Sequence, residues 1–417
     1  MAHIAPSARS EMSAAWRIRK AQQDAGIEAY ALVHQGAKNS HVRFFNEGNG
    51  FSKMKSQWIA KLDSLPIRTC SKRQTELPWS AGWAGLKVSK QINLQAPDII
   101  NLHWATSGWF SLQDLSLVKC PIVFTCHDVW PVTAGCHCNL GCEGWRSECE
   151  NCPQLGLAWF GMDVAHRLWR RKQKSYSKME KLVMVTPSRW LGEMAKQSAL
   201  FSQRRIEVIP NCLDMELFQP MEKTLAKKSL GLPLDKKTIL FGAVNAIRTP
   251  YKGFNLLMEA VEILKQKNRL NEFHLVIFGE SEAPKNMPAP ATFLGNLTHE
   301  KEIARVYQAA DIFVTPSQQD NFPSTVLEAI SSGVPTVAFH VGGIPEMVKH
   351  KEHGYIAKAF DVKDFAEGIE WVSDSDERLR KLSLNARNFA LSSFSPKVVS
   401  KRYIELYSEL ISEGKKV

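Results

Sequence analysis

The sequence has no long hydrophobic segment and no strong local bias. Its 417 residues contain no apolar run near the ~20 residues that a membrane-spanning helix needs, and the start has no apolar signal-peptide core. Internal repeats and low-complexity tracts are also absent. With 44% hydrophobic and 23% charged residues, the composition excludes collagen-like and disordered chains. We therefore expect a cytoplasmic globular protein, and the length favours two domains of about 200 residues.

Negative charge is scarce in the first half of the chain. Residues 1–205 carry 27 Lys and Arg against 15 Asp and Glu, whereas residues 206–417 carry 26 against 27. The basic half indicates either an anionic partner, such as phospholipid, a lipid pyrophosphate or nucleic acid, or simply a well-solvated surface. Its densest part, residues 166–182, has the spacing of an amphipathic helix, which suits either a protein scaffold or a bilayer surface.

Short apolar strands alternate with helical stretches, which favours an α/β fold with parallel sheets in both halves. In the first half, a helix is predicted at 12–25 and strands at 98–104, 121–127 and 182–187, and residues 37–92 have no clear pattern. The second half predicts strands at 237–244, 273–279, 311–316 and 335–339, and helices at 254–267, 301–310, 324–332 and 365–372. A last helix is predicted from Pro396, with Ser395 as its N-cap.

The most informative motif begins at Val314, where an apolar run ends in a polar loop before a helix. The first helical amides, at Ser324 and Thr325, would face the carboxyl edge of a parallel sheet, where a helix N-terminus can hold a diphosphate. Asp320 precedes this helix, and Glu328 lies one turn inside it. Their carboxylates can accept hydrogen bonds from hydroxyl groups of the donor sugar and of a ribose, respectively. The motif predicts a nucleotide-sugar site in which the leaving diphosphate is stabilised without a metal.

Further segments extend this pattern along the second half. Lys252 lies in a glycine-containing loop between a strand and a helix, where it can direct its charge at a phosphate, although one such lysine is a weak signal. The other matching positions are Phe278-Gly279, the segment from Gly295 through Asp311 to Ser317, and Gly342-Gly343. Together with residues 320–329, they resemble in order the donor half of retaining glycosyltransferase family 4.

The resemblance covers residues 182–415 and implies a fold and a domain order. The fold is GT-B: α/β, with two Rossmann-like domains whose parallel sheets face a cleft, and a C-terminal helix that crosses back to the first domain. The implied domains are an acceptor-side domain at 1–205 with a Cys-rich insert at 136–152, a donor domain at 206–394, and the crossover helix at 395–417.

The resemblance also implies an activity: retaining transfer from a nucleotide-diphosphate sugar, without a metal cofactor, to a surface polysaccharide or a polyprenyl-linked glycan. The protein would then work in the cytoplasm or on the cytoplasmic face of an anionic membrane. The implied catalytic residues are His127, Asp320 and Lys252. The implied donor-binding residues are Glu328, Ser324, Thr325, Phe322, Arg248, Gly342 and Gly343. The acceptor side would contain Ser13, Arg9, His103 and Asp128.

The chain departs from the family pattern at several positions. Asp320 stands where Glu is usual, as in a branch that resembles colanic-acid-type polysaccharide transferases. Ala243 stands where an Arg is usual, for which Arg248 is a substitute, and Cys212 replaces a Gly. Residues 7–13 replace the glycine-rich loop that usually precedes the first helix, so Arg9 and Ser13 either contact an anionic acceptor or mark an altered site.

Five of the nine cysteines lie between Cys136 and Cys152. In a cytoplasmic chain, such a cluster is more typical of metal binding than of disulfides. One structural zinc would be bound by Cys136, Cys142, Cys149 and Cys152, with Cys138 or His137 as alternative ligands. Paired CxxC knuckles are absent, so reduced thiols that pack a small loop are an equally good interpretation. The same polysaccharide-transferase branch has a similar insert ending in Cys-Pro-Gln-Leu.

Three rival functions remain at this point. A GT-B sugar-nucleotide epimerase would share the donor site but need no acceptor. A degenerate scaffold would bind a donor without turnover. A zinc-stabilised nucleic-acid-binding protein would explain the cysteines and the basic half, but it leaves the motif at 320–328 unexplained, so we expect no nucleic-acid partner.

Overall fold

A computed structural model describes residues 1–4, 13–33, 42–44, 50–104, 106, 108–158, 161–243, 245–284 and 287–414. The chain divides into two compact units. The first contains Met1–Asn211 and Val399–Val417, and the second contains Cys212–Val398. Each unit is built around its own parallel sheet.

In the first unit, the described residues form a seven-stranded sheet. In chain order its strands are β1 (Ala2–Ile4), β2 (Tyr30–Val33), β3 (Val42–Phe44), β4 (Ile100–Leu102), β5 (Ile122–Thr125), β6 (Leu182–Thr186) and β7 (Ile206–Val208). Their spatial order is β3-β2-β1-β4-β5-β6-β7, and every pair is parallel. All residues of β1, β2, β4, β5 and β6 are buried, as expected for parallel strands covered on both faces.

The helices of the first unit include one that returns from the end of the chain. They are α1 (Ala14–Asp24), α2 (Gly50–Arg68), α3 (Ser89–Gln95), α4 (Leu112–Leu115), α5 (Val164–Ser177) and α6 (Arg189–Gln197). The last helix, α14 (Pro396–Gly414), begins at the predicted proline, and its residues from Val399 onward belong to this unit.

The absence of pattern assigned to residues 37–92 is wrong, because β3, α2 and the start of α3 lie there. The three-residue strands are too short to show a period in the sequence, and α2 contains Pro66, which normally argues against a helix interior. The central strand β1 has only three residues as well and was not predicted.

In the second unit, the described residues form a six-stranded parallel sheet. Its strands are β8 (Lys237–Gly242), β9 (Phe273–Phe278), β10 (Ala291–Phe293), β11 (Ile312–Thr315), β12 (Thr336–Phe339) and β13 (Gly354–Ala357), in the order β10-β9-β8-β11-β12-β13. Its helices are α7 (Lys223–Ser229), α8 (Phe254–Gln266), α9 (Glu300–Ala309), α10 (Ser324–Ser331), α11 (Ile344–Met347), α12 (Val362–Ser373) and α13 (Asp376–Phe394). Every element predicted here is confirmed within three residues at each end, and β10, β13, α7, α11 and α13 are additional.

The strand order places one crevice in each sheet. In the first unit the chain runs from β1 outward on one side and returns to β4 on the other, and in the second unit β8 and β11 have the same relation. Loops that leave the carboxyl ends of two such strands diverge, so the space between them can hold a ligand. None of the described helices is both long and apolar enough to span a bilayer.

Candidate functional site

The crevice of the second unit contains an ion pair between two predicted site residues. The Nζ atom of Lys252, in the loop after β8, lies 2.8 Å from Oδ2 of Asp320, in the loop after β11. A backbone bond joins the same loops, because the amide of Gln318 donates to the Tyr251 carbonyl at 2.7 Å. The two side chains remain 29% and 17% exposed, so a ligand can reach both charges.

Two glycines allow these loops to approach each other closely. Gly253 has φ +76°, and a Cβ there would lie 1.9 Å from the Pro316 carbonyl oxygen; Gly342 has φ +56°, and a Cβ there would lie 1.8 Å from the Asp320 carbonyl oxygen. The amide of Gly343 donates to that same oxygen at 3.0 Å. Gly342 and Gly343 therefore support the backbone of Asp320, and a side chain at Gly342 would push the loop away.

Helix α10 begins beside this loop with an open N-terminus. Pro323 is its N-cap residue and makes no side-chain capping hydrogen bond. Ser324 is exposed and Thr325 is half-buried, so their side of the helix end is accessible. Glu328 is only 6% exposed, which is unusual for a carboxylate. The arrangement offers amide donors to an anion and places a carboxylate one turn behind them.

Two other predicted donor-site residues have different surroundings. The ring of Phe322 is buried and packs edge-on against Phe394, with ring centroids 5.4 Å apart, so this side chain anchors the loop before α10. Arg248 has an exposed side chain at the end of a short turn in the Lys252 loop.

Asp311, which belongs to the matching pattern, is structural. It accepts bonds from Lys223 and Lys227, both at 2.7 Å, and from the backbone amide of Thr238 at 2.8 Å. Burial alone would raise the pKa of this carboxyl, but the two ammonium groups outweigh burial and hold the pKa below its usual value. Asp311 therefore ties α7 to the start of β11.

The crevice of the first unit contains a chain of three histidines. Nδ1 of His3 lies 2.9 Å from Nε2 of His103, and Nδ1 of His103 lies 3.0 Å from Nε2 of His127. The neighbouring rings lie edge to edge and nearly in one plane, with interplanar angles of 11° and 15°. Burial lowers the pKa of His3 to about 3 and that of His127 to about 4. All three imidazoles are therefore neutral near pH 7.

The remaining acceptor-side residues serve local structure. Asp128 accepts from the amide of Trp130 at 2.8 Å and pairs with His137 at 2.7 Å. His137 also contacts Ser80 Oγ at 2.8 Å, so both of its ring nitrogens are engaged. Ser13 caps α1 by accepting from the Trp16 amide. Arg9 lies outside the described residues.

The four predicted zinc ligands come together in the insert between β5 and α5. The thiols of Cys136, Cys142, Cys149 and Cys152 interact electrostatically with one another. Burial raises the pKa of Cys149 to about 11 and raises those of Cys136 and Cys152 as well. The amide of Ala134 donates to Cys149 Sγ at 3.3 Å.

The sulfurs are not at the spacing of a bound tetrahedral metal, in which Zn–S bonds of ~2.3 Å place them roughly 3.8 Å apart. In the part of the chain that the structure describes, Glu148, Glu150 and His166 are the group whose potential ligand atoms all lie within 4.8 Å of one another. That group is largely exposed and is held by its own ion pairs. The alternative ligand His137 is occupied by Asp128 and Ser80.

Each unit matches a family model of glycosyltransferases. Residues 15–217 match the family model described as Glycosyltransferase Family 4, and residues 222–389 match that described as Glycosyl transferases group 1. The chain is a GT-B protein like those of glycosyltransferase family 4. Solved structures agree on the fold of this GT-B protein: sucrose-phosphate synthase from Thermosynechococcus elongatus has a TM-score of 0.69 at 16% identity, covering 99% of both chains.

A second structure, Anabaena HepE in complex with UDP and glucose, has a TM-score of 0.63 at 14% identity and covers 98% of both chains. The predicted GT-B fold with two Rossmann-like domains is therefore confirmed. At these identities, the structures establish the fold alone.

Curated relatives of the GT-B protein match over a shorter length. A D-inositol 3-phosphate glycosyltransferase of Thermobispora bispora is 26% identical over 223 residues, which cover 50% of this chain and 51% of the relative. A UDP-Gal:alpha-D-GlcNAc-diphosphoundecaprenol alpha-1,3-galactosyltransferase of Escherichia coli is 27% identical over 216 residues, covering 50% and 55%. The chain thus spans about half the length of the curated relatives it matches.

Sequence reasoning missed several buried groups around His127. Gln22, His3, Asn101 and Tyr407 join it through hydrogen bonds. No sequence signal identifies them, because each is an ordinary buried residue until the fold brings it to the crevice.

Proposed function

We propose that this protein is a retaining glycosyltransferase that moves a sugar from a nucleotide-diphosphate sugar to a growing surface polysaccharide or a lipid-linked oligosaccharide. The main support is the Lys252–Asp320 pair at the crevice of the six-stranded sheet, beside the uncapped N-terminus of α10. A cation and helix amides in one place suit a diphosphate, and the adjacent carboxylate suits a sugar hydroxyl.

In the proposed reaction, the acceptor hydroxyl attacks the sugar from the face that the diphosphate leaves. The departing diphosphate can then take the hydroxyl proton, so no strong protein base is needed. Lys252 and the first amides of α10 stabilise the charge that develops on the diphosphate. Glu328 binds the ribose, Asp320 binds the sugar, and His127 contacts the transferred ring. This charge stabilisation requires no metal.

The donor site is tested by thermal stabilisation of the purified chain with UDP-, GDP-, ADP- and dTDP-sugars. We expect one donor class to stabilise the chain, and Glu328→Ala to weaken binding by about 1.5–3 kcal/mol because a charged hydrogen bond is lost. Glu302→Ala is a matched control, since Glu302 is an exposed carboxylate in the first turn of α9. Equal affinity of Glu328→Ala and the control would exclude the ribose assignment.

The same panel separates the rival functions when products are analysed. Transfer to an added glycan acceptor supports the proposal. Conversion of the donor without an acceptor would indicate a sugar-nucleotide epimerase. Binding without any chemical change, with polyprenyl-linked and free glycans both present, would indicate a donor-binding scaffold.

We further propose that the acceptor is lipid-linked and that the first unit rests on the cytoplasmic face of an anionic membrane. A groove of about 680 Å³ runs beside α5 and is lined by apolar side chains such as Trp83 and Leu168 and by Arg167, Arg170 and Lys174. Apolar walls with basic side chains suit an amphipathic anionic lipid. The E. coli relative acts, by its name, on a diphosphoundecaprenol-linked sugar.

Binding to vesicles tests this surface. Each Lys or Arg near an anionic bilayer contributes about 1 kcal/mol, so Arg167, Arg170 and Lys174, changed together to Gln, should weaken binding to phosphatidylglycerol-containing vesicles by roughly 100-fold. Neutral phosphatidylcholine vesicles should bind neither form. A control with Lys363, Arg380 and Lys381 changed to Gln removes three exposed cations from α12 and α13. An equal loss of vesicle affinity in both triple variants would show that binding depends on total positive charge and not on the groove beside α5.

We also propose that the four clustered cysteines bind one structural zinc. The donor set supports this, because four soft thiols lie in one short insert and influence one another electrostatically. Binding would draw the sulfurs together to ligand spacing.

A further inference from the structure

The Asp128–His137 pair that supports the loop after β5 continues to a serine hydroxyl. Nδ1 of His137 lies 2.7 Å from Oδ2 of Asp128, and Nε2 lies 2.8 Å from Oγ of Ser80. Asp128 is itself held by the amide of Trp130, which donates to Oδ1 at 2.8 Å. A hydroxyl, an imidazole and an orienting carboxylate, connected in this order at hydrogen-bond distance, are the diagnostic arrangement of an activated serine.

The carboxylate decides which nitrogen of His137 is the base. A carboxylate has no proton to donate, so Nδ1 of the neutral imidazole carries the N–H that faces Asp128. Nε2 then directs its lone pair at Ser80 and can take the hydroxyl proton. Only 7% of the His137 side chain is exposed, so water is largely excluded from the base. Ser80 is half-buried, so a small ligand can reach this residue.

The segment that follows Ser80 is fixed in place and contains an unused amide. The carboxylate of Asp63, a buried residue, accepts from the amides of Trp83 and Ala84 at 2.8 and 3.0 Å. Ala81, directly after the serine, is also buried, and none of the groups that the structure describes accepts from its amide. The amide after the nucleophile is an oxyanion donor in the α/β-hydrolases. Ala81 therefore offers a donor next to the hydroxyl.

We propose that Ser80, His137 and Asp128 form a second catalytic centre, which cleaves carboxylic esters. Oγ of Ser80 attacks the carbonyl carbon of the ester while its proton moves to Nε2 of His137, and the Ala81 amide stabilises the charge on the carbonyl oxygen. The C–O bond to the alcohol then breaks, and the alcohol leaves with the proton from Nε2. Water attacks the acyl-serine in the same way, with His137 taking its proton and returning it to Oγ, and the acid is released.

The surroundings of the imidazole favour an ester with a short acyl group. The indole of Trp104 lies beside His137, with ring centroids 5.3 Å apart and an interplanar angle of 17°, and it narrows the approach to the base. An acetyl ester suits such a confined space better than a long acyl chain. The activity is independent of sugar transfer, since it uses neither the Lys252 loop nor α10.

A fluorophosphonate probe tests the nucleophile in the intact chain. Its phosphorus forms a bond with Oγ of an activated serine and releases fluoride, and mass spectrometry of the digested protein then locates the adduct. We expect a single adduct, on Ser80, and none in His137→Gln, whose side chain can still form hydrogen bonds but cannot take the proton. Ser147→Ala is the matched control, because Ser147 is an exposed serine of the insert that donates to a backbone carbonyl. This control should be labelled on Ser80 like the unmodified chain.

Hydrolysis of p-nitrophenyl acetate is the second readout. Ser80→Ala should lower the rate about 10²- to 10⁴-fold, because the covalent route and its general-base assistance are both lost. If the unmodified chain is labelled only at other serines or not at all, the proposal is overturned even when the variants do not fold. Full labelling of Ser80 in His137→Gln, or hydrolysis by Ser80→Ala at the unmodified rate, would overturn it as well. Neither assay needs a nucleotide sugar, so a failed transfer assay would count against the proposed function alone.

Discussion

Lys252→Ala is expected to lower the rate of sugar transfer about 10²- to 10³-fold, the loss typical of removing one preorganised group that stabilises developing charge. The Nζ atom of Lys252 is held by Asp320 at 2.8 Å, so the ammonium is already in place when the diphosphate leaves. Folding should be almost unaffected, because a partly exposed ion pair contributes about 0–1 kcal/mol. The measurement is single-turnover transfer at saturating donor, together with the donor affinity.

A second lysine in the same unit provides a matched control. Nζ of Lys267 lies 2.7 Å from Glu370, with the lysine 40% and the carboxylate 13% exposed, so Lys267→Ala breaks a similar pair away from the crevice. The transfer rate of Lys267→Ala should equal that of the unmodified chain. If both variants lose rate equally, the effect of Lys252 is a general change in stability or charge, and its assignment to the diphosphate fails.

The partner of Lys252 needs its own comparison. Removing the lysine leaves the Asp320 carboxylate without this counter-charge, and the freed carboxylate would repel a diphosphate. Asp320→Asn alone and the double variant complete a cycle that separates the two contributions. If Lys252 acts directly on the leaving group, Lys252→Ala should still reduce the rate when Asp320 is already Asn.

The second unit was largely predictable because β8, β9, β11 and β12 are four to six residues long and mostly apolar. Such runs are long enough to stand out, and the loops after β8 and β11 contain the residues that define the family pattern. The structure explains two of these positions. Residue 342 must be glycine because a Cβ atom there would collide with the carbonyl oxygen of Asp320. Asp311 pairs with two buried or half-buried lysines rather than with a ligand.

The first unit was less predictable because its central elements are short and its contacts are distant in sequence. β1 has three residues, which is too few for any period. Gln22 and Tyr407 are 385 positions apart, so no local pattern connects them. The sequence therefore singled out His127 and His103 as strand-end histidines, but it could not reveal that His3 completes the series.

The loss of zinc from Cys149→Ser is the second large effect that we expect. We expect about one zinc per chain in protein purified without added metal, and Cys149→Ser should reduce this to nearly none because a tetrahedral thiolate site needs all four ligands. Cys120→Ser is the control, since Cys120 lies outside the insert and is also half-buried. Elemental analysis of both variants and of the unmodified chain measures the metal directly. Unmodified protein without zinc would contradict the site and favour reduced thiols that only pack the loop.

The zinc should matter for the histidine crevice because the insert is attached to the loop that follows β5. The backbone of Cys136 pairs with that of Trp79 in an isolated antiparallel β-bridge. The next residue, His137, contacts both Ser80 and Asp128 through its ring nitrogens. Asp128 directly follows His127, so the position of the insert is transmitted to the end of the strand. Lys172 donates to the carbonyls of Trp130 and Thr133 at 2.7 and 2.9 Å. Burial lowers the pKa of this amine to about 7, and the nearby Cys149 and Cys136 act in the opposite direction. A zinc bound by four thiolates has a net charge of −2, and the protonated form of Lys172 would offset part of it. Chelation of the zinc should therefore loosen the loop after β5 and lower the rate of sugar transfer. Donor binding by the second unit should stay unchanged. If donor binding is lost in parallel, the metal supports the whole chain instead.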